Sequence, residues 1–312
     1  ALGRKVKPVL VTGASGFAGF HLIKALKGSA SVSGTYRRKQ GDLRGIKWLR
    51  VNFTSRDTVL QLIKQVRPRE IYHLAGQSSA RRSHQAEAAT MESNVLGAVN
   101  LLDAVRRWAP KAKILLVSSS QVYGHTYRVK SQVCESDVIS PDNPYAASKA
   151  LVELVGRDYL GRFGLRVVIA RPFNHFGPGQ SRHYVFPDWA YQIVQAEKGK
   201  QSPELKVGNL SVSRDFLHVK DVVDAYRYLM KKGKVGQVYN ICSGNSRLLK
   251  VYADYLMKKS KVRLQRSLLT TRRRKNEVQR VQGSSRRLSS LGWKPKCTPF
   301  EALDALLAEY RG

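Results

Sequence analysis

The chain has 312 residues, 42% of them hydrophobic, with 55 Lys and Arg against 22 Asp and Glu for a formal net charge of +33. That length and apolar share suit a folded globular protein of one large or two intimate domains. No apolar run approaches the roughly 20 residues of a spanning helix and no signal-peptide core opens the chain, so a cytoplasmic protein without membrane association is expected.

Over the first 170 residues short β-rich runs alternate with longer helical patterns, which argues for βαβ units and a parallel sheet. Val9–Val11 reads as a buried strand, followed by a glycine turn and a helix to about Lys27. Val32–Tyr36 and Ile46–Val51 are the next strands, Ser55–Val66 a helix, and Glu70–Leu74 a further strand. Glu87–Trp108 reads as one long helix, Ile114–Ser118 as a strand, and a loop with Pro141 and Pro144 leads into a helix bearing Tyr145. Arg166–Ala170 is another strand, Phe186–Glu197 and Val219–Met230 are helices, and Val238–Ile241 is a short strand suited to return to the main sheet. The last helix starts at Thr298-Pro299-Phe300-Glu301, an N-cap, an N1 proline and a capping-box glutamate in register. The expected fold is α/β: a doubly wound, Rossmann-type parallel sheet with a smaller interleaved C-terminal lobe.

Thr12-Gly13-Ala14-Ser15-Gly16-Phe17-Ala18-Gly19 sits between the first strand and the first helix. Gly13 permits a tight turn, Gly16 lets backbone N–H groups approach a pyrophosphate, and Gly19 allows close packing of helix on strand. An acid at the end of the second strand would favour NAD through the adenosine ribose. Here the run is Thr35-Tyr36-Arg37-Arg38, two guanidiniums and no acid. Arginine suits a 2′-phosphate, so NADP(H) is the preferred cofactor, with NAD(H) as the alternative.

Tyr145 and Lys149 lie one helical turn apart on one face of a helix. An ammonium there favours phenolate over phenol, which brings a tyrosine of ordinary pKa about 10 toward neutrality. Upstream, Ser118-Ser119-Ser120-Gln121 ends a strand and places hydroxyls at the carboxyl edge of the sheet, where such folds bind ligands.

Glycine turn, serine cluster and Tyr-x-x-x-Lys in this order resemble the extended short-chain dehydrogenase/reductases over essentially the whole chain. The resemblance implies a catalytic triad of Ser119, Tyr145 and Lys149, with Lys149 also holding the nicotinamide ribose. It also implies that Gly13, Ser15, Gly16, Phe17 and Gly19, then Tyr36, Arg37, Arg38 and Asn52, bind the cofactor. Leu74-Ala75-Gly76-Gln77 borders it, and Asn94 supports the site from its helix. Arg171-Pro172-Phe173-Asn174-His175-Phe176-Gly177-Pro178-Gly179-Gln180, Val207-Gly208-Asn209 and Ser213-Arg214-Asp215-Phe216 are similar to sugar-nucleotide enzymes. Within these, the chain most resembles GDP-4-keto-6-deoxy-D-mannose reductases, which form GDP-D-rhamnose. Gln121, Asn174, Gln180, Asn209, Arg214, Arg274 and Glu277 are the implied substrate contacts.

The resemblance divides the chain into a dinucleotide-binding domain, residues 1–171 with about 215–242, and a sugar-nucleotide lobe, about 172–214 and 243–312. GDP-mannose 4,6-dehydratases are similar too, but carry a carboxylate two residues after the catalytic hydroxyl. That position is Gln121 here, an amide that is neither general acid nor base at neutral pH. Glu135 and Asp137 read as turn residues. The alternatives are a 4-epimerase with retained NAD, a 4,6-dehydratase, and a supercharged engineered scaffold of this fold.

Charge is densest from Lys258 to Arg287, where twelve basic residues meet the single acid Glu277. No zinc finger, RNP sequence or basic-region heptad accompanies it, so the expectation is nonspecific, salt-sensitive adhesion to nucleic acid. Cys134, Cys242 and Cys297 are far apart and the seven histidines show no ligand spacing, so neither a disulfide nor a metal is expected. A homodimer is expected through the helices after Glu87 and Tyr145, using Val95, Val99 and Leu102 with Leu151, Leu154 and Val155.

Overall fold

A computed structural model describes residues 7–38, 40–269 and 277–312. The strands are β1 Pro8–Thr12, β2 Ser31–Tyr36, β3 Lys47–Arg50, β4 Glu70–His73, β5 Lys113–Val117, β6 Arg166–Pro172, β7 Asn174–Phe176, β8 Glu204–Val207, β9 Ser213–His218, β10 Val238–Ile241, β11 Ser246–Leu248, β12 Gln265–Leu268 and β13 Arg280–Val281. The helices are α1 Phe17–Leu26, α2 Arg56–Val66, α3 Ala80–Ser83, α4 Glu87–Met91, α5 Gly97–Trp108, α6 Pro144–Phe163, α7 Val185–Glu197, α8 Val219–Lys232, α9 Leu249–Lys259, α10 Arg286–Ser289 and α11 Pro299–Arg311.

The main sheet has seven parallel strands in the order β10-β6-β5-β4-β1-β2-β3. Because side chains alternate along a strand, its residues divide between two cores. Val9, Val11, Leu115, Val168 and Ala170 join Leu22 and Ile23 of α1 and Val222, Tyr226 and Leu229 of α8. Leu10, Ile114, Leu116, Val167 and Ile169 join Val59 and Leu62 of α2, Leu101 and Val105 of α5, and Val152 and Tyr159 of α6. Thus α1 and α8 cover one face and α2, α5 and α6 the other. Strand order reverses between β1 and β4, which opens a crevice at the carboxyl edge.

The smaller lobe has its own core, with Phe186 at its centre: Phe176, Phe216 and Tyr252 ring centroids lie 4.3, 4.6 and 5.0 Å away. Truncating Phe186 to alanine would cost about 3–5 kcal/mol by cavity formation. Around this core β9 pairs with β7, β11 and β13, and β12 pairs with β8. The α11 capping box forms as its sequence predicts. Val238–Ile241 returns to the main sheet beside β6.

The stretch Glu87–Trp108 differs from the single helix expected. A π turn at Glu92–Leu96 interrupts it between α4 and α5. The widened turn buries Asn94, whose amide has partners on both sides.

Candidate active site

The glycine turn is bare backbone pressed against the β4 exit. A Cβ on Gly13, whose φ is +66°, would lie 2.8–2.9 Å from Leu74 and Ala75 backbone atoms. One on Gly19 would overlap the Gly13 carbonyl oxygen. Gly13 N–H donates to Thr35 Oγ1 at 3.1 Å, and Ala75 N–H donates to Thr12 Oγ1 at 3.1 Å, tying β1, β2 and β4 together at the turn. The α1 N-terminus has no side-chain cap and no acid in its first turn. Its free N–H groups and positive dipole end suit an anion.

A crevice opens beside this turn. It is lined by Gly13, Ser15 and Gly16, by Tyr36 and Arg37, by Asn52, and by Leu74, Ala75 and Gly76. Thr35, Phe53, Thr54 and Ser93 line it too, which the sequence reading missed. Arg38 is exposed and outside the lining, and Phe17 instead stacks on His175 at 6.1 Å. A dinucleotide phosphate fits these residues: bare backbone and an uncapped helix for the pyrophosphate, and Arg37 without a neighbouring acid for a 2′-phosphate.

Asn94 braces the site rather than lining the crevice. Its Oδ1 accepts from Gln77 N–H at 2.7 Å, and its Nδ2 donates to Ser148 Oγ at 2.8 Å. Ser148 in turn donates to the Tyr145 carbonyl at 2.7 Å. The loop after β4 is thereby fixed to the helix that carries Tyr145 and Lys149.

That helix starts at Asn143, whose side chain caps Ala146 N–H at 2.9 Å. Tyr145 and Lys149 are both buried. Burial pushes the Tyr145 phenol up to about 12; a hydrogen bond with the Ser119 hydroxyl pulls it back only in part, and nearby Tyr184 adds to the rise. The expected lowering by Lys149 is therefore corrected: burial outweighs it. Lys149 donates from Nζ to the Val117 carbonyl at 2.8 Å, and burial brings it down to about 8 against the opposing Glu153 carboxylate. His73, behind them, is held near 3 by burial and then by the Lys149 charge, so its imidazole is neutral.

Glu153 was not anticipated. It is buried, accepts from Ser118 Oγ at 2.6 Å, and is clasped by Arg171 Nε and Nη2 at 2.8 and 2.7 Å. Arg171 Nη1 also donates to Tyr123 Oη at 2.9 Å, and Tyr123 donates to Asn240 Oδ1 at 2.8 Å. Its place one helical turn after Lys149 was the available signal. Glu135 is more than the turn residue expected, for its Oε1 accepts from Asn240 N–H at 2.9 Å.

Ser119 Oγ accepts from Gln121 N–H at 3.2 Å, and Gln121 Oε1 accepts from Asn143 Nδ2 at 3.4 Å. Asn174 is half-buried on β7. Gln180 is buried, donating to the His175 carbonyl at 3.2 Å, while its Oε1 has no partner among the described residues. Asn209, Arg214 and Glu277 come together: Glu277 accepts from Asn209 Nδ2 at 3.0 Å and from Arg214 Nη2 at 3.3 Å. Arg274 lies outside the described residues. Tyr184, exposed at the residue before α7, is a further phenol that acts electrostatically on Tyr145, and the sequence did not point to it.

Residues 9–242 match the model of the NAD dependent epimerase/dehydratase family. The chain belongs to that family. It is 35% identical to the GDP-6-deoxy-D-mannose reductase of Pseudomonas aeruginosa, over 97% of this chain and 96% of that protein. The structure of RMD from P. aeruginosa complexed with NADPH superposes with a TM-score of 0.86 at 34% identity, covering 98% of this chain and 99% of the other. A dTDP-glucose 4,6-dehydratase of Xanthomonas campestris pv. campestris is 30% identical over 76% of this chain and 71% of its own. The Rossmann-type fold read from the sequence is the family's fold.

Proposed function

We propose that this chain is an NADPH-dependent reductase that converts the C4 keto group of a GDP-linked 4-keto-6-deoxyhexose to the alcohol, giving GDP-D-rhamnose. The observation that carries this reading is the 35% identity to a GDP-6-deoxy-D-mannose reductase across 97% of the chain. The amide of Gln121 supports it, since dehydration needs a titratable group there.

A reduced nicotinamide dinucleotide held by the glycine turn and Arg37 would supply the hydride that reduces the C4 carbon. Tyr145, with its phenol raised to about 12, is fully protonated at neutral pH and donates its proton to the C4 oxygen as that oxygen gains charge. Ser119 holds the same oxygen by a hydrogen bond, and the Lys149 ammonium offsets the charge that appears on the phenol. Glu153 and Arg171 keep Lys149 and β5 in register beneath. Asn174, Gln180, Asn209 and Arg214, with Arg274, hold the substrate so that binding fixes the carbonyl over the site. Glu277 orients Asn209 and Arg214 for this task.

The test mixes purified protein, NADPH and the GDP-linked keto sugar and follows loss of reduced-nicotinamide absorbance together with the product's retention. No oxidation by folded protein that binds both ligands would overturn the reading. Release of tightly held NAD on denaturation would replace it with the epimerase.

The exposed leucines Leu96, Leu151 and Leu154 favour a homodimer through α5 and α6, whereas Leu102 faces its own core. Sizing at low and high salt tests this, because the charge of +33 opposes association at low ionic strength. The three free thiols and the NADPH requirement favour the cytoplasm. The same charge supports weak, salt-sensitive adhesion to nucleic acid. Among the described residues no helix is long and apolar enough to cross a membrane.

A further inference from the structure

His21 has no part in the proposed reaction, yet it joins the two lobes. It lies half-buried on α1, five residues after Gly16 of the crevice lining. Phe17 and His21 stand one helical turn apart and meet edge to face, with ring centroids 5.4 Å apart. Both reach the same segment of the smaller lobe. Phe17 stacks on His175 of β7 at 6.1 Å and 11°, and His21 Nε2 lies 2.9 Å from the Pro178 carbonyl oxygen. A carbonyl oxygen only accepts, so His21 donates. Among the described residues this is the one side-chain hydrogen bond from α1 to that segment.

The segment is a closed unit. His175 Nδ1 donates to the Phe173 carbonyl at 2.9 Å, which fixes the ring that Phe17 stacks on. Gln180 N–H donates to the Gly177 carbonyl at 3.3 Å, and Gln180 Nε2 donates to the His175 carbonyl at 3.2 Å. Glu309 of α11 ties the turn to its own lobe, accepting from Gly179 N–H at 2.9 and 3.1 Å. His21 ties it to the helix whose uncapped first turn follows the anion-binding glycines. A ligand that restrains α1 therefore restrains the turn, and a second ligand on the turn loses less conformational freedom when it binds.

We propose that His21 is a positioning residue that links the two ligands. By holding the Pro178 carbonyl against α1, it lets a bound dinucleotide order the segment that carries Asn174 and Gln180, so the nucleotide sugar binds more tightly once the dinucleotide is in place. The assignment rests on the dinucleotide and sugar-nucleotide sites proposed above.

The test follows amide hydrogen exchange of residues 174–184 by mass spectrometry, without and with saturating NADPH, in wild type, His21→Phe and His21→Gln. In wild type NADPH slows exchange there by roughly three- to tenfold, the worth of one hydrogen bond. The slowing persists in His21→Gln, whose amide donates to the same carbonyl, and is lost in His21→Phe, which keeps a ring but no donor. NADPH affinity itself, read by nicotinamide fluorescence, is unchanged in both variants. In turnover, His21→Phe raises the KM for the GDP-linked keto sugar and leaves kcat as it was. Equal slowing in wild type and His21→Phe, or no slowing in wild type that binds NADPH, overturns the assignment alone. Loss of the slowing in His21→Gln as well, or weaker NADPH binding by His21→Phe, also overturns it, since either marks a packing defect. Wild-type protein that binds neither NADPH nor NADH overturns the assignment together with the reading it rests on.

Discussion

Glu153→Gln removes the charge that balances a buried guanidinium. Arg171 and Glu153 are 3% and 2% exposed, and their two-point contact measures 2.8 and 2.7 Å. Burial alone would lower the Arg171 pKa, yet its bond to Glu153 raises it. Glutamine keeps the shape and one acceptor for Ser118 but leaves Arg171 uncompensated, at a cost of about 3–5 kcal/mol. At roughly 2.1 cal/mol/K of unfolding entropy per residue, 312 residues give about 0.66 kcal/mol/K, so Tm falls by about 5–8 °C. Because Glu153 opposes the depression of Lys149 to about 8, its neutralisation moves Lys149 lower still. The alkaline limb of kcat/KM then shifts toward neutral pH. Thermal melts of wild type, Glu153→Gln, Arg171→Met and the double variant, with pH–rate profiles, check this. The double variant recovers much of the loss because both charges leave together. Additive losses, or a Tm change under about 2 °C with an unmoved alkaline limb, would refute the reasoning.

Tyr145→Phe lowers kcat by about 10²–10⁴-fold while the NADPH dissociation constant stays within about threefold, as measured by turnover and fluorescence titration. For Lys149, the folded pKa of about 8 lies below the ordinary 10.5, so the unfolded chain binds more protons between them. The stability of wild type relative to Lys149→Met therefore rises with pH from 8 to 10.5; urea midpoints across that window test the sign. Gly19→Ala forces a Cβ onto the Gly13 carbonyl and within 2.9 Å of Ala14 Cα, and weakens NADPH by tenfold or more, on the order of 1.4 kcal/mol. Gly161→Ala, with open space around its Cβ, is the control: binding holds, and stability rises by about 0.5–1 kcal/mol. Arg37→Gly lowers the preference for NADPH over NADH by about tenfold or more, read from kcat/KM with each cofactor.

The strand–glycine turn–helix unit was legible because each of its requirements is local. Gly13 needs positive φ, Gly19 must clear a carbonyl six residues away, and Phe17–Leu26 follows at helical spacing. The Tyr145–Lys149 pair and the Thr298–Glu301 capping box were legible for the same reason. The long helix after Glu87 was misread because apolar periodicity does not register one extra residue in a π turn. That turn buries Asn94 against Gln77, 17 positions upstream, and Ser148, 54 positions downstream.

By itself the sequence determined the parallel sheet, the glycine turn at the head of α1 and the placing of Tyr145 and Lys149 on one helix, since these follow from neighbours along the chain. Tertiary structure decided their protonation and their company. Tyr145 is raised rather than lowered, and Lys149 is balanced by Glu153, which is clasped from another element by Arg171. Burial and charge pairing depend on which distant segments pack together, and no local pattern encodes them.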